Sequence, residues 1–536
     1  MNVLLFLTFL WTAVSSSGTV ISSDRDRPNI IVILADDLGY SDIGCYGSEI
    51  KTPNLDKLAS EGVRFSQLYN NTRCCPSRAA LLTGLYPHQV GIGAMTDTDI
   101  PIPEYQGFFR EDVKTIADIL KEIGYKTFIS GKWHVGEKEG HWPKDHGFDQ
   151  SFALINGASS YFDFKPYRND LWPLGNEIKV VADNKVVDMN EKDFYATDLY
   201  TDKALDILEK HKTDEPFFLY LSYTAPHWPL HALPEDIKKY EGSYDAGWDV
   251  IRESRFEKLK ALNLIESKTV LSGKNLDTRD WNALNEEERK YEARLMEVYA
   301  AMIDRMDQNI GKLIDYLNTK EELDNTVIIF LSDNGGCSAG NLANGKYSHP
   351  RLDPKAEPGS PSSFTSYGPS WANVSNTPFR EFKSNIHEGG IATPFILWYP
   401  KAINSGIISK TPSHIIDVVP TLLDICGVDE NEATLNTLEG TSLLPFVTGK
   451  ETNFERPLYF EHEGNCGVIL KDWKAVKNYG KDWELYNLSV DRSETNNLAS
   501  EMPKKLKKLV IRYNEWAREN RVLPYEDVKK AIPYQF

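Results

Sequence analysis

The chain has little cysteine for its length: six in 536 residues, Cys45, Cys74, Cys75, Cys337, Cys426 and Cys466. Disulfides therefore do not build this fold, and a hydrophobic core must hold it together. Positive charge is also short, with 60 Lys and Arg against 78 Asp and Glu and a net charge of −18. Nucleic acid is not an expected partner, because phosphate backbones are held by clustered cations. The same acidic field repels an anionic substrate, so attraction to one must come from cations or a metal concentrated inside a cleft. Past the N-terminus no apolar run is long enough to read as a membrane span. Low-complexity tracts and internal repeats are missing too, which sets aside disorder and solenoids.

What the chain does have is length for a large core, and a big α/β unit with a smaller companion is expected. Val3 to Val14 is a short apolar run followed by Ser15, Ser16, Ser17 and Gly18. That is the shape of a signal peptide over residues 1–18, although Met1 and Asn2 supply no Lys or Arg. An exported protein follows, periplasmic or secreted, or lysosomal or extracellular in a eukaryote. Asn70, Asn373 and Asn487 head glycosylation sequons, which matter only in a eukaryotic secretory pathway.

Asn29 to Leu34 is a continuous apolar run rich in Ile, which predicts a strand buried on both faces of a parallel sheet. Thr52 and Pro53 open a helix with Leu55, Leu58 and Ala59 as its apolar stripe, ending at Gly62. Val113 to Ile123 reads as a helix closed by Gly124, and Lys126 to Ser130 as the next strand. Further strands are expected at Phe217 to Leu221, Thr326 to Leu331 and Phe395 to Trp398. One long amphipathic helix runs through Leu295 to Leu317, and another spans Ile416 to Cys426. Alternating strands and helices imply a mostly parallel, helix-flanked sheet, and such sheets bind ligands beyond their strands' carboxyl ends. From about Glu455 the pattern turns to short strands, Leu458 to Glu461, Val468 to Leu470, Trp473 to Val476 and Trp483 to Tyr486, then a helix from Pro503. The division expected is 19–455 for the main domain and 456–536 for a small antiparallel α+β module. Tyr240 to Glu288 and Ser338 to Asn376 read as long surface excursions, the second placed to wall a cleft.

Asp36 and Asp37 follow the first strand, and Asp333 and Asn334 follow the strand ending at Leu331 and Ser332. Three carboxylates and an amide oxygen from separate loops suit Ca²⁺ better than zinc, which prefers His or Cys. Each piece alone is as readily a helix cap or a turn.

The stretch Cys74-Cys75-Pro76-Ser77-Arg78-Ala79-Ala80-Leu81-Leu82-Thr83-Gly84 resembles the signature of the sulfatase family. Its Cys is followed by Pro two residues on and Arg four residues on; Cys74 has that register and Cys75 does not. Further matches run in the family's order from Arg27-Pro28-Asn29 to Trp483-Glu484-Leu485-Tyr486-Asn487-Leu488. Gly131-Lys132-Trp133-His134 looks like the family's Lys and His segment, and Ala225-Pro226-His227 like the one with its second active-site His. Lys383, five residues before Glu388-Gly389-Gly390, matches the distal Lys, and Asp417-Val418-Val419-Pro420-Thr421 is a further, non-catalytic likeness. Ser370 to Pro378 and the overall length look most like the bacterial arylsulfatase branch.

The resemblance implies an alkaline-phosphatase-like fold and a sulfuric ester hydrolase. It implies that Cys74 is oxidised to formylglycine by a formylglycine-generating or anaerobic maturation enzyme. One Ca²⁺ would be held by Asp36, Asp37, Asp333 and Asn334 together with the converted side chain of residue 74. The hydrated aldehyde, a gem-diol, would attack sulfur and leave a covalent sulfate on the enzyme, which its second hydroxyl would expel. Arg78, Lys132 and Lys383 would stabilise the charge on sulfate. Asp333 would serve as base, His227 with Lys383 as donors to the leaving oxygen, and His134 as partner of the second hydroxyl. With Cys74 consumed, five thiols remain for at most two bridges. His88, His141, His146, His231, His349 and His462 stay unassigned, His462 being the one closest to a cleft rim by its place in Glu461-His462-Glu463-Gly464. Trp228 and Trp371 suggest a sulfated glycan, while aryl sulfates fit the chemistry equally; oligomeric state is not readable. Two rival readings are a phosphatase, phosphodiesterase or phosphonate hydrolase of the same superfold, and a non-catalytic binder of sulfated glycans with Cys74 as a thiol.

Overall fold

The computed structural model describes residues 27–532 except 98–99, 165–177, 190–192, 212–213, 276, 340–352, 354, 429–437 and 452–453. The expected signal peptide and His349 lie outside the described residues. Eleven described strands form one sheet: β1 (Asn29–Ala35), β2 (Val63–Tyr69), β3 (Lys126–Lys132), β4 (Gln150–Leu154), β5 (Val180–Ala182), β6 (Lys185–Val186), β7 (Phe217–Ser222), β8 (Thr326–Ser332), β9 (Ala392–Trp398), β10 (Ile407–Ser409) and β11 (Ser413–His414). Their order is β10-β2-β9-β8-β1-β7-β3-β4-β5-β6, with β11 beside β2. The central five, β8-β1-β7-β3-β4, pair in parallel throughout. Antiparallel pairs flank them: β9 against β8 and β2 on one side, β5 against β4 on the other.

Continuous apolar sequence becomes two-sided burial here. Ile31, Ile33 and Ala35 of β1 enter one core, shared with Leu295, Val298, Tyr299 and Met302 of the long helix Glu286–Thr319. Ile30, Val32 and Leu34 enter the opposite core, with Ala79 to Leu82 and with Val418 to Leu423. The two-residue alternation of a strand assigns each side chain to its face. The helix expected over Val113 to Ile123 runs Ile116–Glu122, because Thr115 and Asp118 form a reciprocal capping box that fixes its start.

A second, antiparallel sheet of β12 (Leu458–His462), β13 (Asn465–Leu470), β14 (Trp473–Lys477) and β15 (Glu484–Asn487) follows, as does the helix Pro503–Glu519. The mostly parallel sheet with flanking helices and this smaller C-terminal sheet are the expected fold.

The two excursions need correction. Residues 240–288 are not merely a surface loop: they contain the helix Trp248–Ala261, whose Trp248, Arg252, Arg255, Phe256 and Leu259 are buried. Arg255 pairs with Asp42 at 2.6 Å and Glu49 at 2.8 Å, so charges that suggested solvent lie inside. In the second excursion the helix Gly368–Ser375 is buried as well. Trp371 is fully enclosed, donates its indole N–H to the Glu292 carbonyl and meets Trp248 and Trp281 edge-on, so it is a core residue and no sugar platform. Of the sequon asparagines, Asn70 and Asn373 are buried, Asn70 donating to Thr393 Oγ1. All six cysteines are free thiols.

Candidate active site

The parallel strands deliver their C-terminal residues to one place. β1 runs into Asp36 and Asp37, β8 into Asp333 and Asn334, β3 ends on Lys132 just before His134, and β7 leads to His227. Gly131 is required in β3, where a Cβ would come within 1.8 Å of the Ser222 carbonyl oxygen of β7. That close approach brings Lys132 and Ser222 to the same buried point, since Arg78 donates to the Lys132 carbonyl at 3.1 Å and to Ser222 Oγ.

Acids and cations interleave there without solvent. Lys132 Nζ lies 2.7 Å from Asp36 Oδ2, and Lys383 Nζ 2.5 Å from Asp37 Oδ1. Arg78 meets Asp333 Oδ2 through Nε at 3.0 Å and Nη2 at 2.9 Å. Asn334 Nδ2 donates to Asp37 Oδ1 at 2.6 Å, and the Asp37 N–H to Asp333 Oδ1 at 3.2 Å. Yet Asp36 Oδ1, Asp37 Oδ2 and Asn334 Oδ1 are buried with no hydrogen-bond donor. Arg78 Nη2, 3.7 Å from Asp36 Oδ1, and His227 Nε2, 3.5 Å from Asp37 Oδ2, make no hydrogen bond to them. Three orphaned oxygens from converging loops are a fitting donor set for a hard cation.

Burial raises Asp36, and burial with the Asp36 charge brings Asp333 up to about 7 against the pull of Arg78. Burial would raise Asp37 as well, but His227 and Lys383 outweigh it and hold the carboxyl at about 2. A bound cation would favour the ionised form of all three. Burial holds His134 and His227 at about 4, so both rings are neutral at pH 7 in this arrangement.

Cys74 opens the fully buried helix Cys74–Thr83, whose first turn carries no acid. Free N–H groups and the helix dipole favour an anion at that end. The Cys74 and Cys75 sulfurs and a His134 ring nitrogen lie within 4.8 Å of one another. A hydrogen bond from Cys75, then Lys132, His134 and Lys383, bring the Cys74 thiol well below its usual value despite burial. Cys75 is pushed the other way by burial, which keeps the two sulfurs distinct.

Every residue singled out from the sequence, Asp36, Asp37, Cys74, Arg78, Lys132, His134, His227, Asp333, Asn334 and Lys383, therefore converges. His462 is fully enclosed rather than at a rim, and feels the charge of Arg73 and Cys74. His88 is buried against Glu461 at 2.8 Å, and His231 gives its ring to the Ser363 carbonyl. Ser222 and Arg73 were missed. Ser222 ends a strand that was read, so strand-end position alone would have found it. Arg73 donates to Ser384 Oγ at 2.6 Å, beside Lys383, a contact across the chain that has no local sequence signal. Trp228 is half-buried, with its ring 4.8 Å from that of His227.

A mostly parallel sheet with this charged cluster beyond its strand ends is the arrangement in which α/β proteins hold their ligands. The profile of the Sulfatase family matches residues 28–428, and one described as N-sulphoglucosamine sulphohydrolase, C-terminal, matches 381–518. The chain belongs to the sulfatase family. It is 36% identical to an uncharacterized sulfatase of Schizosaccharomyces pombe over 94% of this chain and 96% of that one. It is 38% identical to an arylsulfatase of Klebsiella aerogenes over 78% of this chain and 90% of the relative. Among solved structures, Ps i-CgsB in complex with k-i-k-neocarrahexaose aligns with a TM-score of 0.67 and 28% identity, covering 92% of this chain and 93% of that chain.

Proposed function

We propose that the protein hydrolyses sulfate esters, of aryl or carbohydrate alcohols, with a formylglycine made from Cys74 and one Ca²⁺. The observation that carries this reading is the set of orphaned oxygens on Asp36, Asp37 and Asn334 beside the helix end that bears Cys74. Asp36, Asp37, Asp333 and Asn334 would hold the ion, which supplies a fixed positive charge for sulfate oxygens. Without it, three carboxylates face Arg78, Lys132 and Lys383 and the charges balance. A divalent ion makes the cluster net positive, which is what an anionic ester needs in a protein whose overall field repels it.

The chain's own residues divide the remaining work. Arg78, fixed by Asp333, Ser222 and the Lys132 carbonyl, cannot rotate away and presents a preorganised charge. Lys132 and Lys383 offset negative charge that moves onto the transferring group. The His227 Nδ1 proton is committed to the Trp228 carbonyl at 2.5 Å, so the neutral ring presents Nε2 without a proton, and that atom must first take one up before it can pass it to the leaving oxygen. His134 lies against Cys74 with Nδ1 unpartnered, placed to take a proton from the side chain at 74. An oxidised residue 74 adds a second hydroxyl after hydration, and with it a route for expelling sulfate that Ser or Cys lacks. Export, processing after residue 18 and a transient maturation enzyme belong to the same reading, with 19–455 as the catalytic part and 456–536 as its companion.

Peptide mass spectrometry across Cys74 from the native source, with paired assays on aryl sulfate and aryl phosphate, tests it. Aldehyde at 74 with preference for sulfate is expected. An unmodified thiol in active protein, or preference for phosphate, would overturn the reading.

A further inference from the structure

On the side covered by its helix, the C-terminal sheet carries a concentration of positive charge that the chemistry at Cys74 does not use. The sheet has two faces. Lys474 of β14 points inward and meets Glu388 at 3.1 Å and Glu494 at 2.8 Å. Its neighbours Trp473 and Ala475 point outward and join the core under the helix Pro503–Glu519. That helix spends its apolar stripe on the sheet: Leu509, Tyr513 and Trp516 are buried, and the Trp516 ring stacks on Tyr459 at 4.9 Å between centroids.

The solvent face of the same helix is strongly basic in an otherwise acidic protein. Lys504, Lys505, Lys507, Lys508, Arg512 and Arg518 stand against Glu515 and Glu519 alone. Lys504, Lys508 and Arg512 follow the four-residue spacing that aligns side chains along one helix face. All three are exposed, and none of the five from Lys504 to Arg512 forms an ion pair among the described residues. Between this face and the β13–β14 turn runs an open groove of about 670 Å³, lined by Lys471, Trp473, Lys505, Lys508, Arg512 and Glu515 among others. Trp473 is half-buried in it, and Lys505 Nζ sits 4.7 Å from the Trp473 ring centroid.

We infer that this groove, which shares no lining residue with the cluster around Cys74, is a second binding site for a polyanionic polysaccharide chain. Unpaired cations in a row neutralise a linear polyanion and release its counterions, and an indole edge supplies the apolar contact that a sugar ring accepts. A bilayer is the poorer fit, because the helix's apolar face is already buried in the sheet and Ile511, 45% exposed, is the main apolar side chain left outward. The site would keep a polymer on the enzyme between encounters with the cleft.

The test measures binding of dextran sulfate to the full-length protein by affinity electrophoresis, with neutral dextran, polyphosphate and phosphatidylserine vesicles alongside. Combining Lys505→Glu, Lys508→Glu and Arg512→Glu should weaken dextran sulfate binding about tenfold or more and make what remains less dependent on salt, while kcat/KM on a small aryl sulfate stays within about twofold. Trp473→Ala should weaken dextran sulfate by about threefold and leave polyphosphate unchanged, and Trp473→Tyr, which keeps a ring, should restore most of it. Cys74→Ala should bind the polymer as the parent does, so failure of the sulfatase chemistry and failure of this site are separable. Undiminished binding by the triple variant would overturn the inference. So would equal losses for dextran sulfate, polyphosphate and vesicles with no effect of Trp473→Ala, since the surface would then be a general anion or membrane contact.

Discussion

Two clusters of buried charge flank the segment from Lys383 to Glu388, and their oxygens end differently. At the strand ends, Asp36, Asp37 and Asp333 face Arg78, Lys132 and Lys383, yet Asp36 Oδ1, Asp37 Oδ2 and Asn334 Oδ1 have no donor. Under the C-terminal sheet, Glu388 and Glu494 face Lys474 and Arg492, and each of the four carboxylate oxygens has a cation or N–H within 3.1 Å, Glu494 Oε1 through an ion pair with Lys474 at 2.8 Å rather than through a hydrogen bond. A completed cluster locks two parts of a fold together; an incomplete one is poised for a ligand. Lys383 belongs to the first and Glu388 to the second, so the structural cluster anchors the segment that serves the reactive one. The anchoring is reinforced where Ser384 N–H donates to the Thr72 carbonyl at 2.9 Å, two residues from Cys74.

Removing the reactive centre should have the largest effect. Cys74→Ala should lower turnover of an aryl sulfate on the order of 10⁴-fold or more with an unchanged melting temperature, and a loss below tenfold would contradict the assignment. Lys383→Ala or Arg78→Ala should lower kcat by about 10²–10³-fold, measured as steady-state kinetics on folded protein. Effects within a few fold would make these cations structural.

The second cluster should respond the other way. Lys474→Met leaves buried carboxylates short of a partner and should destabilise the protein by about 3 kcal/mol in denaturant unfolding, while kcat of the folded fraction falls less than about tenfold. A larger loss of kcat than of stability would merge the two clusters into one. The smallest effect is expected at the edge of this region. Burial would raise Glu484, but His387, Tyr486 and Arg380 favour its carboxylate and hold it at about 2. Its contribution is therefore complete above the ordinary glutamate value of 4.5 and is lost as pH falls toward 2. Glu484→Gln should destabilise the protein by ~1 kcal/mol at about pH 6, after screening of a carboxylate that is 22% exposed, and by almost nothing near pH 2. Equal destabilisation at both would assign the loss to packing.

The same contrast explains what could be read from the sequence. β1, β7 and β8 are short, mostly apolar runs, and the acids that follow β1 and β8 stand out against them. β2 escaped notice because Arg64, Ser66 and Gln67 interrupt it and a register shift between Phe65 and Leu68 breaks its alternation. The helix Trp248–Ala261 was hidden by its own charges, since Arg252 and Arg255 are buried by partners far along the chain, Ser272 and Asp42. Local pattern carries the strand-end acids; the pairs that complete a buried charge are tertiary and leave no spacing to read.

The central claim is that the strand-end oxygens await a divalent cation while the Glu388 cluster does not. Calorimetric titration of chelator-treated protein with Ca²⁺ tests this directly. One ion per chain is expected for the parent and for Lys474→Met, and none for Asp37→Ala. Undiminished Ca²⁺ binding by Asp37→Ala, or no binding by the parent, would contradict it.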